Sequence, residues 1–454
     1  MNSSPVAGPD CVATGSSTAD PAGAAARLRT LIRRLPCLWP SADRVVVAYS
    51  GGRDSHTLLA STVACFASGP ISVSAVHINH GLHTAAAQWA RHCEGVCHRL
   101  GVDCTVLTVE VRPAGQGPEA AARAARYRAF TEHLPEGAVL LQAHHADDQV
   151  ETVLLRLLRG CGAHGAAGMP ATRQLGSGTL WRPWLAATSD DIAAVARAHG
   201  LAWVEDPSNA DARFDRNFLR QRVLPQLRER WPSLAQSIGT AAANFDDAAQ
   251  VLDAHADAVL VQAKQDETLP VTALEQGSPA LARTLLHRWL NRSGVPVPSR
   301  ATLDRVRTEV AAARADAQPS LRLGDRTVRR HRGHLHLVPD TVVFDTGATL
   351  DWPDPARPIV LPSGRLLHAG AVLGDGLDRV HLRRRWQVRF ARGSALLKPP
   401  GRARARVKKL LNAAGVPAWE RVSLPYLYID GELAWVQQLG VDHAFRRADF
   451  VGAN

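Results

Sequence analysis

The hydrophobic rhythm of this chain changes three times. Between Val45 and about Val204, short apolar runs rich in β-branched residues alternate with amphipathic stretches of helical period. VVVAYS leads into a helix predicted from about Ser55, followed by the strand ISVSAVHINH and a helix from Thr84 to Leu100. DCTVLTVEV, a helix from Glu119 to Leu134, AVLLQAHH and a helix from Asp147 to Leu158 complete the series. Strands of this kind, separated by helices, predict an α/β fold with a mostly parallel sheet flanked by helices on both faces. Residues 233–315 then read as helical throughout, with an apolar stripe through AAANFDDAAQVLDAHADAVL and another through LARTLLHRWL. SLRLGDRTVRRHRGHLHLV alternates like a hairpin, and the Pro- and Asp-rich VPDTVVFDTGATLDWPDPARP reads as a linker to a small α+β module. The predicted organisation is a disordered tail over 1–25, an α/β domain over 26–232, a helical middle domain over 233–340, a linker over 341–375 and a small α+β C-terminal domain over 376–454. No internal repeat is visible.

Ligands of parallel α/β sheets sit outside the carboxyl ends of the strands. Three polar clusters fall at predicted strand ends: SGGRDS, HINHGLH and AHHADDQ. In SGGRDS, two glycines permit close backbone approach, Ser50 and Ser55 add hydroxyl donors, and the loop opens a helix whose N-terminal end favours anions. A Walker A loop is excluded, because it needs a lysine and none precedes Lys264. The SGGRDS loop also lacks the GxGxxG dinucleotide pattern. In AHHADDQVETVLLRLLRG, residues Val150, Val153, Leu154, Leu157 and Leu158 recur at helical spacing and face a core. The other face carries His144, Asp148 and Glu151. Carboxylates in a first turn can serve as helix caps; beside a phosphate loop they also suit Mg²⁺ or an amino group.

Charge extends the picture. The 454 residues carry 53 Lys and Arg against 42 Asp and Glu, a net charge of +11, and a polyanionic partner is expected. From Arg379 to Leu411 there are twelve Lys or Arg and no acidic residue, with Trp386 and Phe390 interspersed. One-signed density of this kind reads as an RNA-binding face, with Arg383, Arg384, Lys408 and Lys409 as contacts. No run of about twenty apolar residues is present, so no membrane span is expected. The N-terminal MNSSPVAGPDCVATGSSTADPAG lacks the basic start and apolar core of a secretory signal and reads as a disordered tail, with an organellar presequence as the alternative. Seven scattered cysteines without a CxxC pair fit reduced thiols in the cytoplasm. Cys93, Cys97 and Cys104 are either small core residues or a metal set.

Ser50-Gly51-Gly52-Arg53-Asp54-Ser55 resembles the SGGxDS pyrophosphate loop of the N-type ATP pyrophosphatases, a superfamily that cleaves ATP between its α and β phosphates. GQGPEAAARAARYRAF, LLQAHHADDQVETVLLRLLRGCG and WVEDPSNADARFDRNFLRQRVLPQL follow in order, and KKLLNAAGVPAWERVSLPYLYIDGELAWV lies near the end. Together these closely resemble the tRNA(Ile)-lysidine synthetases, most strongly from Val45 to Leu227. The departures are the long tail, Arg53 with His56 around the loop, and a middle region without identifiable motifs. The resemblance implies a ligase that uses ATP and Mg²⁺ to join free L-lysine to the wobble cytidine of tRNA(Ile) bearing a CAU anticodon. It implies ATP binding by Ser50, Gly51, Gly52, Arg53, Asp54 and Ser55, with Asp54 also handling Mg²⁺. It implies lysine binding by His144, Asp148 and Glu151, and catalytic roles for Asp54, Arg123 and Asp148. In FDRNFLRQR, Arg216, Asn217 and Arg220 cluster within about one turn, either as a surface helix or, as the charge fits, in contact with tRNA. A homodimer is left open. The rival readings are a tRNA thiolase of the same superfamily, which the absence of CxxC disfavours, and a non-catalytic nucleotide-sensing RNA-binding protein, which the intact loop disfavours.

Overall fold

A computed structural model describes residues 20–81, 83–111, 118–207, 211–262, 268–314, 317–340, 347–390 and 394–447. Most of the expected tail, residues 1–19, lies outside these. Residues 21–25 do not belong to a tail: Pro21 opens helix α1 (Pro21–Ile32), and the Asp20 carboxylate caps it by accepting from the amides of Ala22 and Gly23. The chain divides into two compact units, one ending at Leu252 and one beginning at Asp253.

The first unit follows the alternation read from the sequence. After the short turn α2 (Leu35–Leu38) come β1 (Arg44–Ala48), α3 (Arg53–Phe66), β2 (Ser72–Asn79), α4 (Ala86–Leu100), β3 (Asp103–Thr108) and α5 (Pro118–His133). β4 (Val139–Leu141), α6 (Ala146–Leu158), α7 (Ala163–Ala166), β5 (Thr172–Leu175), β6 (Gly178–Trp181) and α8 (Ser189–Ala198) follow. The unit closes with α9 (Asp215–Phe218), a π-helical turn at Leu219–Val223, and α10 (Leu224–Arg230). Helix α11 (Leu234–Gln262) runs on past the division.

The sheet has the order β3-β2-β1-β4-β6-β5. All neighbours are parallel except the β5–β6 pair. Period-two alternation splits β1 between two cores. Val45 and Val47 pack on one face with Leu28, Leu58 and Ile192, while Val46 and Ala48 meet Phe130, Leu134 and Leu140 on the other. Successive strands step outward from β1 to β3, and the chain then returns to place β4 on the other side of β1. The strand order therefore reverses between β1 and β4, where a crevice opens at the carboxyl ends.

In the second unit, β7 (Thr268–Pro270), α12 (Val271–Glu275), α13 (Pro279–Arg292) and α14 (Arg300–Arg305) precede β8 (Ser320–Leu323), β9 (Arg326–His331) and β10 (His334–Pro339). β7 corrects the all-helical reading of 233–315. It pairs with β10 through three residues, too few to show any alternation in sequence. The stretch read as a hairpin is a three-stranded meander, β8-β9-β10. Residues 349–374, within the stretch read as a linker, carry β11 (Thr349–Trp352), β12 (Ile359–Val360), β13 (Leu366–Leu367) and α15 (Ala369–Gly374); Trp352, Leu361, Leu367 and Val372 pack in the C-terminal core. That core lies on a sheet formed by β11 with β14 (Trp386–Phe390), β17 (Pro425–Ile429), β18 (Glu432–Val436) and β19 (Gly440–Val441). The short pair β15 (Leu396–Leu397) and β16 (Ala405–Arg406) and the helices α16 (Val407–Ala413) and α17 (Ala418–Arg421) complete the unit.

Candidate active site

Residues 49–55 turn the end of β1 into the start of α3 at the crevice. Gly51 has φ +87°, a conformation that disfavours side chains, and a Cβ there would sit 3.1 Å from Cys93 Sγ. The hydroxyls knit the turn. Ser55 Oγ accepts from the Ser50 amide at 3.2 Å, lies 3.0 Å from Ser50 Oγ and donates to Gly52 O at 3.0 Å. A distant segment latches the loop from outside, with the Val204 amide donating to Gly51 O at 2.9 Å and His56 Nδ1 lying 2.9 Å from Ala202 O. Arg53 reaches sideways to Ser189 Oγ at 2.7 Å and to Asp54 Oδ1 at 2.8 Å.

Across the switch point, β4 delivers His144, His145 and the first turn of α6. His145, which the sequence reading passed over in favour of its neighbour, is buried among three carboxylates. Its Nε2 lies 3.6 Å from Asp54 Oδ2 and 3.5 Å from Asp148 Oδ2, and its Nδ1 3.7 Å from Asp147 Oδ2. Burial lowers its pKa, but the close carboxylate of Asp54 and the charges of Asp148 and Asp147 outweigh burial and raise it. Burial likewise raises the Asp54 carboxyl, yet His145 and Arg53 hold it below its ordinary value, so Asp54 is ionised at neutral pH. The Asp148 carboxylate also accepts from the His145 amide at 3.1 Å, closing a capping box at the start of α6. Phosphate loop and acidic helix are thus joined through one imidazole.

One turn further along α6, Glu151 is 1% exposed. Arg220 grips it with two donors, Nε to Oε1 at 2.6 Å and Nη2 to Oε2 at 2.9 Å, and also reaches Asp148 Oδ1 at 3.0 Å. Arg216 Nε lies 3.0 Å from Glu151 Oε2, in an ion pair whose alignment falls short of a hydrogen bond. Its Nη2 donates to Thr152 Oγ1 at 2.9 Å. Asp147 is held apart from this group by Arg228 at 2.6 Å and the Ser189 amide at 3.2 Å. Arg216 and Arg220, read from sequence as RNA contacts, are therefore brought to the acidic pair. Asn217 points elsewhere, donating to Asp211 O at 2.9 Å.

His144 faces a basic cluster. Arg182, just past β6 and 3% exposed, donates to His144 Nδ1 at 3.2 Å, to Pro170 O at 2.7 Å and to Tyr127 Oη at 3.1 Å. Arg123 Nη2 lies 3.4 Å from the same hydroxyl, and the guanidiniums of Arg123 and Arg173 stack 5.0 and 4.7 Å from the Tyr127 ring centroid. Burial, with Arg182, Arg123 and Arg216 added to it, pushes the His144 pKa down to about 3 against the opposing charge of Asp148. Neither Arg182 nor Tyr127 was singled out from sequence. The available signal was a lone arginine within TLWRPWL, an apolar context that a charge enters only when it is held.

Of the basic run in the second unit, Arg383 and Arg384 are exposed beside β14, and Lys408 and Lys409 are exposed on α16. Arg384 lies 3.6 Å from Asp430. Cys93 and Cys97 are fully buried in the core behind the loop, and among the described residues the three neighbouring cysteines do not gather as metal ligands. No helix among the described residues is long and apolar enough to cross a membrane.

The chain matches a PP-loop domain over residues 24–227, a TilS substrate binding domain over 269–336 and a TilS substrate C-terminal domain over 386–450. It is 41% identical over 396 residues to the tRNA(Ile)-lysidine synthase of Methylococcus capsulatus, covering 86% of this chain and 90% of the relative. The chain belongs to the tRNA(Ile)-lysidine synthase family. The Alkalilimnicola ehrlichii tRNA(Ile)-lysidine synthase is 41% identical over 432 residues, 92% of this chain and 94% of the relative. That of Coxiella burnetii is 37% identical over 392 residues, 85% and 87% respectively. In this tRNA(Ile)-lysidine synthase family member, the glycine turn after β1 and the Asp148–Glu151 carboxylates after β4 flank the same reversal of strand order.

Proposed function

We infer that this protein is an ATP-dependent ligase that joins lysine to the wobble cytidine of tRNA(Ile) bearing a CAU anticodon. The observation that carries the reading is the bridge from loop to acidic helix, Asp54 to His145 to Asp148, at 3.6 and 3.5 Å. A group activated on ATP at the loop would lie beside carboxylates suited to an amine. The cytidine O2 attacks the α-phosphorus and pyrophosphate leaves; the ε-amine of lysine then attacks C2, AMP departs with O2, and the amine's surplus proton passes to solvent. Adenylation matters because a carbonyl oxygen leaves poorly, whereas AMP leaves readily once its charge is met by fixed cations.

Ser50, Gly51, Gly52, Arg53 and Ser55 cradle the phosphates, and Arg123 supplies positive charge toward them. Asp148 and Glu151 receive ammonium groups that compete with Arg220. Asp54 is an ionised oxygen donor at the mouth of the phosphate loop, which fits Mg²⁺. The metal would neutralise charge on the phosphates. The exposed Arg383, Arg384, Lys408 and Lys409 contact RNA backbone. We assign the protein to the cytoplasm, where ATP, free lysine and tRNA meet. The test is incubation with ATP, radiolabelled lysine and a tRNA(Ile) transcript, followed by nucleoside analysis. Lysidine should form, and Asp54→Ala should abolish it in a folded protein. AMP release with no label in the nucleoside would overturn the reading.

A further inference from the structure

Arg182 is a buried cation whose contacts among the described residues are all to neutral acceptors: His144 Nδ1, Pro170 O and Tyr127 Oη. Tyr127 passes its own proton on, donating to Gln142 Oε1 at 3.2 Å. A guanidinium desolvated without a carboxylate is costly, and such a group persists where it performs a task. Its chemistry settles one point. Arginine has five N–H donors and no acceptor, so the nitrogen it meets at 3.2 Å, His144 Nδ1, must present a lone pair. A neutral imidazole with an unprotonated Nδ1 carries its proton on Nε2. His144 is therefore locked as a donor at Nε2 and cannot accept from an ammonium group there.

The surroundings say what that donor serves. Asp148 and Glu151 on the adjoining turn are acceptors for ammonium, and Arg123, Arg173 and Arg182 make the Tyr127 side of His144 cationic. The charged and titratable groups acting on His144 are Asp148, Arg182, Arg123 and Arg216, one anion against three cations. An amino acid carries an α-carboxylate two bonds from its α-ammonium, so a paired acceptor and donor site distinguishes it from a plain amine.

We propose that Arg182 is a positioning residue for amino-acid selection: it fixes His144 as an Nε2–H donor to the α-carboxylate of the incoming lysine. Arg182 does not itself touch the substrate, and the proposal rests on the lysine-transfer reading. It predicts that the protein prefers lysine to 1,5-diaminopentane, the same diamine chain without a carboxylate.

Two measurements test it on the full chain. The first is ¹⁵N NMR of histidine-labelled protein without ATP or tRNA, with His144 identified by the signal missing from His144→Gln. The expected pattern is protonated Nε2 and unprotonated Nδ1 from pH 5.5 to 8; protonated Nδ1 in the wild type overturns the proposal. The second is tRNA-dependent transfer of lysine and of 1,5-diaminopentane. Arg182→Met should raise the lysine KM about tenfold, the loss of one oriented hydrogen bond. It should leave the diamine and ATP KM values within twofold, and Arg182→Lys should recover part of the lysine preference. An equal loss for lysine and the diamine makes Arg182 merely structural and overturns the proposal. If Arg182→Met fails to fold, the wild-type tautomer decides alone. Should lysine not be transferred at all, the functional reading fails while the tautomer result stands.

Discussion

Glu151→Gln probes the acidic helix with almost no change of shape. The carboxylate receives three guanidinium contacts, at 2.6 and 2.9 Å from Arg220 and 3.0 Å from Arg216. A glutamine keeps one carbonyl oxygen and turns an NH₂ donor toward donors. Hydrogen bonds to charged groups contribute about 1.5–3 kcal/mol each, and a buried polar group left unmatched carries a similar penalty. The arginines retain access to water, their side chains being 44% and 29% exposed, which brings the net loss toward the lower end, about 2 kcal/mol. In a domain of this size that lowers Tm by about 4–8 °C. Calorimetry of the full chain should show the fall in the transition of the first unit. A double-mutant cycle with Arg220→Met should give a coupling of about 1–2 kcal/mol, because contacting residues do not act independently. The lysine KM should rise while the ATP KM moves less than twofold. Additivity within about 0.5 kcal/mol would refute the energetic argument, and a raised ATP KM with lysine untouched would show that Glu151 serves the metal.

Gly51→Ala should cost about 1–2 kcal/mol for the left-handed backbone alone, beyond the 3.1 Å approach to Cys93 Sγ. Gly52→Ala, with φ −77° and its nearest neighbour 3.5 Å away, should leave the melting point unchanged. Equal melting points for the two variants would contradict the assigned loop conformation. Lys408→Ala combined with Lys409→Ala should weaken tRNA binding and flatten the slope of log affinity against log salt by about one unit per lost phosphate contact, with ATP affinity unaltered; an unchanged slope makes them a solvated face. Burial pushes the Cys93 thiol up to about 12, so native protein at pH 8 should be alkylated at the exposed Cys37 and not at Cys93. Rapid labelling of Cys93 would show that the core behind the loop opens.

The loop, the parallel strands and the acidic helix were legible because each expresses a local rule: an apolar run, a glycine turn, a helical stripe. The stripe holds only at its start, since Leu157 and Leu158, expected to face the core, are exposed while Glu151 is buried. The β5–β6 hairpin was not legible, since its two four-residue strands include Thr172, Arg173 and Gln174, all exposed, and an exposed edge strand needs no hydrophobic pattern. β7 escaped for its shortness. At the candidate site, Asp148 and Glu151 drew notice by their spacing on one helix, and Asp54 by its place in the glycine loop. Arg220 was visible only as a basic residue on a helix, and nothing in its neighbourhood told that 69 residues away a buried glutamate required it. Arg182 shares that difficulty, because pairings across a fold leave no local periodicity.

The latch on the phosphate loop bears on how the protein is made. Gly51 O is bonded by the Val204 amide, and His56 by Ala202 O. With synthesis at about 5–20 residues per second, the roughly 150 residues between them take on the order of 10–30 s to emerge. During that interval a nascent chain has its glycine turn but not the strap that holds it. A ribosome stalled before Ala202 would therefore present an unlatched loop, and nucleotide affinity on the nascent chain should appear late, as a step rather than a ramp.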